Sequence, residues 1–183
     1  VCTGLGTQLV ADPDLIIPDW DKSILDGAIQ SSGWNNLRDD SIARMYFEAL
    51  AKKYHFSLTV PIRELPAEAL DVILYGTKGE NLTIYYERAN GRGTLERPFE
   101  GIVNNVERRL QETQSDAMRK ELESCMSERP CPKCHGKRLT DVSLAVTVGG
   151  MSIMDFCAMP VSEELEFMNH LTLTGNMAVI AEQ

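Results

Sequence analysis

The most informative absences in this 183-residue sequence are long apolar runs and an excess of positive charge. No uninterrupted apolar run approaches the ~20 residues that a membrane-spanning helix needs, and no stretch has the layout of a signal peptide. Lysine and arginine total 18 against 27 aspartates and glutamates, which gives a net charge of −9 and a pI near 4.8. We therefore exclude a highly basic nucleic-acid clamp as a description of the whole chain, and we expect a cytoplasmic location without membrane contact.

Motifs for nucleotide chemistry are also missing. The chain has no Gly-x-x-x-x-Gly-Lys-Ser/Thr loop for phosphates, and Gly91-Arg-Gly93 is too short for a dinucleotide fingerprint, which needs a following helix. The histidines are scattered and have no evident nucleophile partner: His55, His135 and His170. We therefore expect no enzymatic activity from this chain.

Charge is distributed unevenly along the sequence. Arg138 is the last basic residue, and the charged residues beyond it are all acidic: Asp141, Asp155, Glu163, Glu164, Glu166 and Glu182. The net charge of −9 therefore hides a less acidic middle region in which basic residues can act locally.

Cysteine gives the strongest signal for chemistry. Cys131-x-x-Cys134 followed by a glycine is typical of a knuckle, in which two thiolates on a tight turn bind one tetrahedral metal ion. Cys2 begins a Cys-x-Gly-x-Gly string, which has the form of the second half of another knuckle. The pattern favours a four-thiolate structural zinc site, with its fourth cysteine just before Val1, over a redox pair or unrelated cysteines.

The remaining cysteines, Cys125 and Cys157, are expected to pack as small apolar residues. His135 lies beside the knuckle and is expected to be solvated rather than a ligand. Because Val1 is not an initiator methionine and Cys2 reads as the middle of a motif, we expect the chain to be part of a longer protein.

A turn at Asn90-Gly91 between two β-rich runs predicts a β-hairpin. Its basic and aromatic residues are candidates to contact phosphates and to stack on exposed bases: Arg88, Arg92, Arg97 and Tyr86, with Tyr85 next to it. Glu87 and Glu96 dilute this positive field, so an ordinary solvated hairpin is an equally consistent interpretation.

The periodicity predicts an α+β chain of two lobes: a helix-plus-β-hairpin lobe, and a small cysteine-knuckle lobe with a strand and helices. The expected divisions are residues 1–10 for the first knuckle strand, 11–122 for the helix–hairpin lobe, and 123–183 for the second knuckle and the remainder of its lobe.

Three elements are predicted with particular boundaries. A helix is expected to start at Pro66 and to stop at Gly76. A long, charged and solvated helix is expected over residues 103–128, which contain no proline. A strand is expected over residues 144–148, where the sequence is rich in β-branched residues.

Several rare strings, in this order, resemble the UvrA family, the damage-sensing ATPases of the bacterial excinuclease ABC system. They are Cys2-x-Gly-Leu-Gly with Asp12-Pro-Asp-Leu-Ile-Ile-Pro-Asp-Trp20, then Phe99-Glu-Gly-Ile-Val-Asn-Asn-Val-Glu-Arg-Arg109, then Cys131-Pro-Lys-Cys-His-Gly-Lys-Arg-Leu139 with Ser143-Leu-Ala-Val-Thr-Val-Gly-Gly150. The resemblance covers both ends of the chain, whereas residues 30–97 are less distinctive.

The resemblance implies a position within two ATP-binding-cassette-like halves. Residues 11–122 would be the mobile insertion domain that lies against the DNA duplex and helps to sense damage, and their flanks would belong to signature domain I. Cys2, Cys131 and Cys134 match three ligands of the family's zinc module. The family's Leu-Ser-Gly-Gly signature, Walker motifs and UvrB-binding region are absent from this chain.

The expected role is therefore a non-catalytic DNA-binding, damage-sensing module in nucleotide excision repair. Its cofactor would be structural zinc, with ATP bound only by the rest of the parent protein. Its partners would be double-stranded DNA, the remaining UvrA domains, a second UvrA subunit and, through the parent protein, UvrB. Two alternatives stay open: a zinc module for protein–protein contacts, and a thiol–disulfide oxidoreductase.

Overall fold

Helices and small sheets make up the computed structural model, which describes residues 2–88 and 91–181 and confirms the predicted α+β class. The chain divides into two compact units, which we call the core unit (Leu9–Glu128) and the terminal unit (Val1–Gln8 with Arg129–Gln183). The predicted divisions after residues 10 and 122 stay predictions. Within the described residues, no helix combines the length and the apolar character needed to cross a bilayer.

The core unit is a helical layer with one hairpin, and the chain enters and leaves it through two strands that pair with each other. In chain order, the elements of this unit and of the two strands that cross its boundaries are β1 (Thr7–Ala11), α1 (Pro13–Ile16), α2 (Ile42–Tyr54), a 3-10 turn (Ile62–Glu64), α3 (Ala67–Tyr75), β2 (Asn81–Arg88), β3 (Gly91–Pro98), α4 (Ile102–Glu112), α5 (Asp116–Glu123) and β4 (Met126–Pro130). The entry and exit strands β1 and β4 form one sheet, and β2 and β3 form the predicted hairpin.

The core of this unit is built around Trp34. Its ring lies edge-on to Phe99 at a centroid distance of 5.2 Å and to Phe47 at 5.9 Å. Phe47 and Phe99 are fully buried, and burial of such a side chain contributes about 1.5–3 kcal/mol. Because α2 packs against β2, this core also supports the base of the hairpin.

Residues 99–101 connect the hairpin to α4, and a network of side chains joins this connection and α4 to Trp34. Trp34 Nε1 donates to Asn105 Oδ1 at 3.1 Å, and Asn105 Nδ2 donates to Glu100 Oε1. Arg108 donates two hydrogen bonds to the Glu100 carboxylate, from Nη2 to Oε1 at 2.7 Å and from Nε to Oε2 at 3.0 Å. The buried indole N–H is therefore satisfied by a chain of bonds that ends at a surface ion pair.

The continuous helix predicted over residues 103–128 is wrong. The chain instead forms α4 and α5, with a break at Thr113, whose backbone is extended (φ −73, ψ 137). Ser115 then caps α5, because its hydroxyl accepts the N–H of Met118. The last residues of the predicted helix form β4, so Pro130 ends a strand rather than a helix.

The terminal unit contains short elements, in chain order α6 (Asp141–Leu144), β5 (Thr147–Val148), β6 (Met151–Ser152), α7 (Ile153–Cys157), α8 (Val161–His170) and α9 (Asn176–Ala181). The strand predicted over residues 144–148 is mostly wrong: Thr140 caps a helical turn there, and only Thr147–Val148 are extended. Cys125 is buried as predicted, but Cys157 is exposed.

Candidate metal centre and nucleic-acid interface

Three cysteine sulfurs converge in the terminal unit. The Sγ atoms of Cys2, Cys131 and Cys134 all lie within 4.8 Å of one another, and those of Cys2 and Cys134 are 3.6 Å apart. A zinc–sulfur bond of ~2.3 Å places the corners of a tetrahedral site ~3.8 Å apart. The three thiols therefore have the spacing of three corners of one metal site, although the first two are 129 positions apart in the sequence.

Backbone geometry explains why these two loops meet. The N–H of Cys131 donates to the carbonyl of Gly6 at 2.8 Å, which joins the first cysteine loop to the second. Gly6 has a φ of +84°, and a Cβ on it would lie 2.9 Å from the carbonyl oxygen of Gly136. The Cys-x-Gly-x-Gly string is thus required by a close approach of two backbones as well as by its turn.

Within the second loop, backbone N–H groups of Cys134 and Lys133 directed at the Cys131 sulfur lower the pKa of that thiol to about 6. For Cys134, burial raises the pKa above its ordinary value. The loop therefore favours a thiolate at Cys131 near neutral pH, and the thiolate is the form that binds a metal.

The three buried thiols can hold one metal ion. Among residues 2–88 and 91–181, no histidine or carboxylate joins them in the cluster. His135 is exposed with a left-handed backbone (φ 49), so the structure agrees with its expected place in solvent.

The hairpin separates its candidate DNA-binding residues between two faces. In the register of the strands Tyr86 pairs with Gly93, Leu82 with Arg97, and Glu87 with Arg92. Since directly paired residues share a face, Arg97 lies on the face of Tyr86 and of the buried Leu82. Arg92 lies on the opposite face.

A mainly apolar cleft of about 320 Å³ opens between the hairpin and α2. Tyr86, Tyr46 and Arg97 line it, together with Ile42 and Leu95. Tyr86 is 39 % exposed, and its hydroxyl lies over Gly93. The cleft therefore combines an accessible aromatic ring with a guanidinium group, the two groups that a splayed base and its phosphate require.

Arg92 lines a neighbouring cleft of about 490 Å³, which it shares with Tyr86 and two acids, Asp39 and Glu48. The positive field on this side is therefore partly balanced. Arg88 ends β2 in register with Gly91, but its side chain and the turn residues Ala89 and Asn90 lie outside the described residues.

Sequence reasoning missed a contact between the end of α2 and the hairpin. The ammonium group of Lys52 lies 4.6 Å from the centre of the Tyr85 ring, a cation–π contact. Lys53 and His55 line the same shallow cleft as Tyr85. The string Lys-Lys-Tyr-His was visible in the sequence, but its distance of thirty residues from the tyrosine concealed the contact.

Comparison with known proteins connects these features to a family. The family model described as "UvrA DNA-binding domain" matches residues 12–124. The UvrABC system protein A of Clostridium perfringens is 41% identical over 182 residues, and that of Methanothermobacter thermautotrophicus is 40% identical over 182 residues. Each match covers 100% of this chain but 19% of the relative, so the chain spans about a fifth of their length.

A solved structure resembles the chain as well. The crystal structure of UvrA2 from Deinococcus radiodurans superposes with a TM-score of 0.65 over 92% of this chain and 21% of that chain. At 24% sequence identity this likeness concerns the fold alone.

Proposed function

The chain belongs to the UvrA family, and from this membership we propose that it is a DNA-binding, damage-sensing module, without catalytic chemistry of its own, of a longer nucleotide-excision-repair protein. The observation that carries the proposal is that the matched residues 12–124 contain the hairpin and its cleft. Tyr86 would stack on an exposed base while Arg97 contacts a phosphate.

The charges of the hairpin support this role. Arg92 and Arg97 are exposed, and neither makes an ion pair with a described acidic group, so both are available to a ligand. Arg88 completes the proposed contact set. Because the whole chain carries −9, its affinity for duplex DNA should be weak. The affinity should also fall with salt, because each arginine–phosphate contact releases counterions from the DNA.

The proposed cofactor is a structural zinc ion held by Cys2, Cys131 and Cys134, with a fourth cysteine from the longer protein. The metal would supply a fixed link between two loops that lie far apart in the sequence. ATP would bind only to the rest of the parent protein. The remaining UvrA domains, a second UvrA subunit and UvrB are proposed partners, and the cytoplasm is the proposed location.

Duplex binding by the 183-residue chain tests the DNA-binding role. The double variant R92Q/R97Q should bind a fluorescent duplex at least about fivefold more weakly than wild type, because two phosphate contacts are lost. The matched control R63Q/K78Q removes the same charge from cations that already pair with Asp21 and Asp71. Equal losses in both variants, or salt-independent binding by wild type, would contradict the proposal.

Metal analysis tests the zinc site. Cys131→Ser should lose bound zinc, whereas Cys157→Ser, which changes an exposed thiol outside the cluster, should keep it. A chain extended upstream to include a further cysteine should hold zinc more tightly. Insulin reduction by the metal-free chain would instead favour the thiol–disulfide alternative, which the lowered pKa of Cys131 also permits.

A protein-interaction role has one specific observation in its favour. The terminal unit exposes many large apolar side chains, among them Val142, Val146, Val161, Leu165, Met168, Val179 and Ile180. Two of these, Val146 and Met168, line one mainly apolar cleft with Val148 and Ile153, and a contiguous exposed apolar patch is typical of an interface. Capture of UvrB or of a second UvrA half by the chain, without any binding to duplex, would support this function instead.

A further inference from the structure

We propose that the second cysteine loop is itself an anion-binding surface, which contacts the phosphate backbone of duplex DNA through Lys133, Lys137 and Arg138. The inference rests on the proposed function, because it takes the DNA duplex of that proposal as its ligand. It assigns to the loop a binding role in addition to the structural one.

Charge is segregated within the terminal unit. All of its basic residues lie within ten positions: Arg129, Lys133, Lys137 and Arg138. All of its acidic residues lie from Asp141 onward, and residues 129–140 contain none. A chain with a net charge of −9 therefore carries one short segment in which every charged side chain apart from the buried cysteines is positive, and such a segment attracts anions locally.

The three cations of the loop have no acidic partner among the described residues. Lys133, Lys137 and Arg138 are exposed, and none of them makes an ion pair there. The core unit differs, since many of its cations are paired: Lys22, Arg44, Lys53, Arg63, Lys78 and Arg108. The charges of the loop are thus available to an external anion.

The loop holds these side chains on an ordered backbone. The N–H of His135 donates to the carbonyl of Cys131 at 2.7 Å, and that of Lys137 donates to the carbonyl of Cys134 at 2.8 Å. Both cysteines are buried while the residues between and after them are exposed. An anion that binds here loses less free energy to ordering of the backbone than one that binds a flexible tail.

The chemistry of the loop favours a nucleic-acid backbone over an acidic protein. Protein interfaces take most of their binding energy from a few buried anchors, chiefly tryptophan, tyrosine and arginine. Residues 131–138 offer only Arg138 of these types and include no phenylalanine, tyrosine, tryptophan or large aliphatic side chain. Duplex DNA carries about one negative charge per 1.7 Å of its axis, so closely spaced cations can each meet a phosphate.

Duplex binding by the full chain as a function of salt tests the inference. The triple variant K133Q/K137Q/R138Q should bind a fluorescent duplex about tenfold more weakly in low salt. The slope of log K against log salt should become shallower by about 2 to 3, since each lost phosphate contact removes about 0.9. Zinc content and thermal midpoint should stay at wild-type values.

A matched control separates this effect from net charge. The variant K22Q/R63Q/K78Q removes the same three charges from cations that pair with Asp19, Asp21 and Asp71, and it should keep the wild-type slope. Because Arg138 packs over Gly6, the double variant K133Q/K137Q provides a milder test, with an expected change in slope of about 2.

Four outcomes overturn the inference. An unchanged slope in the loop variants while R92Q/R97Q weakens binding leaves the proposed function intact and removes the loop from it. If the loop variants lose zinc as well as DNA binding, these side chains stabilise the metal-binding loop rather than contact DNA. An equal effect in the control assigns the change to net charge, and a loss of binding to a polyglutamate probe but not to duplex assigns the loop to an acidic protein partner.

Discussion

Glu100 shows how a single residue connects the surface of the core unit to its interior. The Arg108 guanidinium, which donates two hydrogen bonds to this carboxylate, holds the pKa of Glu100 below its ordinary value. The ionised form is therefore favoured in the folded state. Its contribution to stability is complete above the ordinary pKa and is lost as the pH falls through the lowered one.

We expect Glu100→Gln to reduce the acid sensitivity of folding. At neutral pH the variant should lose about 1 kcal/mol or less of unfolding free energy, because the ion pair is half exposed and screened by solvent. Wild type should lose more stability than the variant when the pH falls below about 4.5. Urea unfolding followed by tryptophan fluorescence measures both. The control Glu48→Gln removes an exposed carboxylate that pairs with Arg44, and an equal change of acid sensitivity in this variant would contradict the assignment to Glu100.

Gly6 is the residue at which the two cysteine loops approach most closely. We expect Gly6→Ala to reduce zinc content, because its Cβ would collide with the Gly136 carbonyl and move the two loops apart. Gly4→Ala is the matched control: its φ of +90° is similar, but no atom lies within 4 Å of the added carbon. Metal analysis of both variants tests this, and equal zinc loss would show that backbone strain alone is responsible.

Prediction from sequence succeeded for single residues when the signal was local. The Cys131 knuckle could be recognised because its residues adjoin, and Cys2 because its glycines repeat the same pattern. The Trp34–Asn105 bond could not be predicted, since the two residues are 71 positions apart in the sequence. The separation of Arg92 from Arg97 was predictable, because an odd spacing along a strand places residues on opposite faces.

The end of α3 and the start of α4 lie so close together, at Gly76 and Gly101, that neither residue can be replaced by one with a side chain without moving the backbone. Gly101 has a φ of +88°, and a Cβ on it would lie 2.4 Å from the backbone nitrogen of Gly76. The two chain segments can therefore touch only if both residues lack side chains.

We expect Gly101→Ala to lower the free energy of unfolding by about 3 kcal/mol or more, from a left-handed conformation plus a backbone overlap. Gly79→Ala has a similar φ of +92° but no neighbouring atom, and it should cost about 1–2 kcal/mol. Urea denaturation compares the two variants. If the unfolding free energies of the two variants differ by less than about 1 kcal/mol, the backbone at the junction can shift to accommodate the added carbon.

The elements that sequence reasoning predicted correctly begin and end at glycine, proline or asparagine residues, which mark turns and helix ends. The helix between Pro66 and Gly76 and the hairpin at Asn90-Gly91 are bounded by residues with few conformational choices. The prediction of one long helix failed because charged residues flank residues 113–115 on both sides, while Ser115 between them accepts a backbone N–H and starts a new helix as its cap.

For the whole molecule, the division into two units predicts separate responses to metal removal. A chelator should raise amide hydrogen exchange in residues 2–8 and 129–140, because the proposed metal joins those loops. Amides of α2, α3 and α4 should keep their protection, since an independent apolar core holds them. Loss of protection in both units together would show that they unfold as one.

The closure of the core unit has a consequence for how such a segment can be gained or lost. The N–H of Asp12 donates to the carbonyl of Cys125 at 2.9 Å, so the unit starts and finishes at neighbouring points. A domain with neighbouring ends can be inserted into a host chain, or be replaced there by a short turn, without changing the rest of the host fold. The inserted domain can also gain residues, lose residues or be exchanged for another sequence, while the distance between the two flanking segments of the host stays the same.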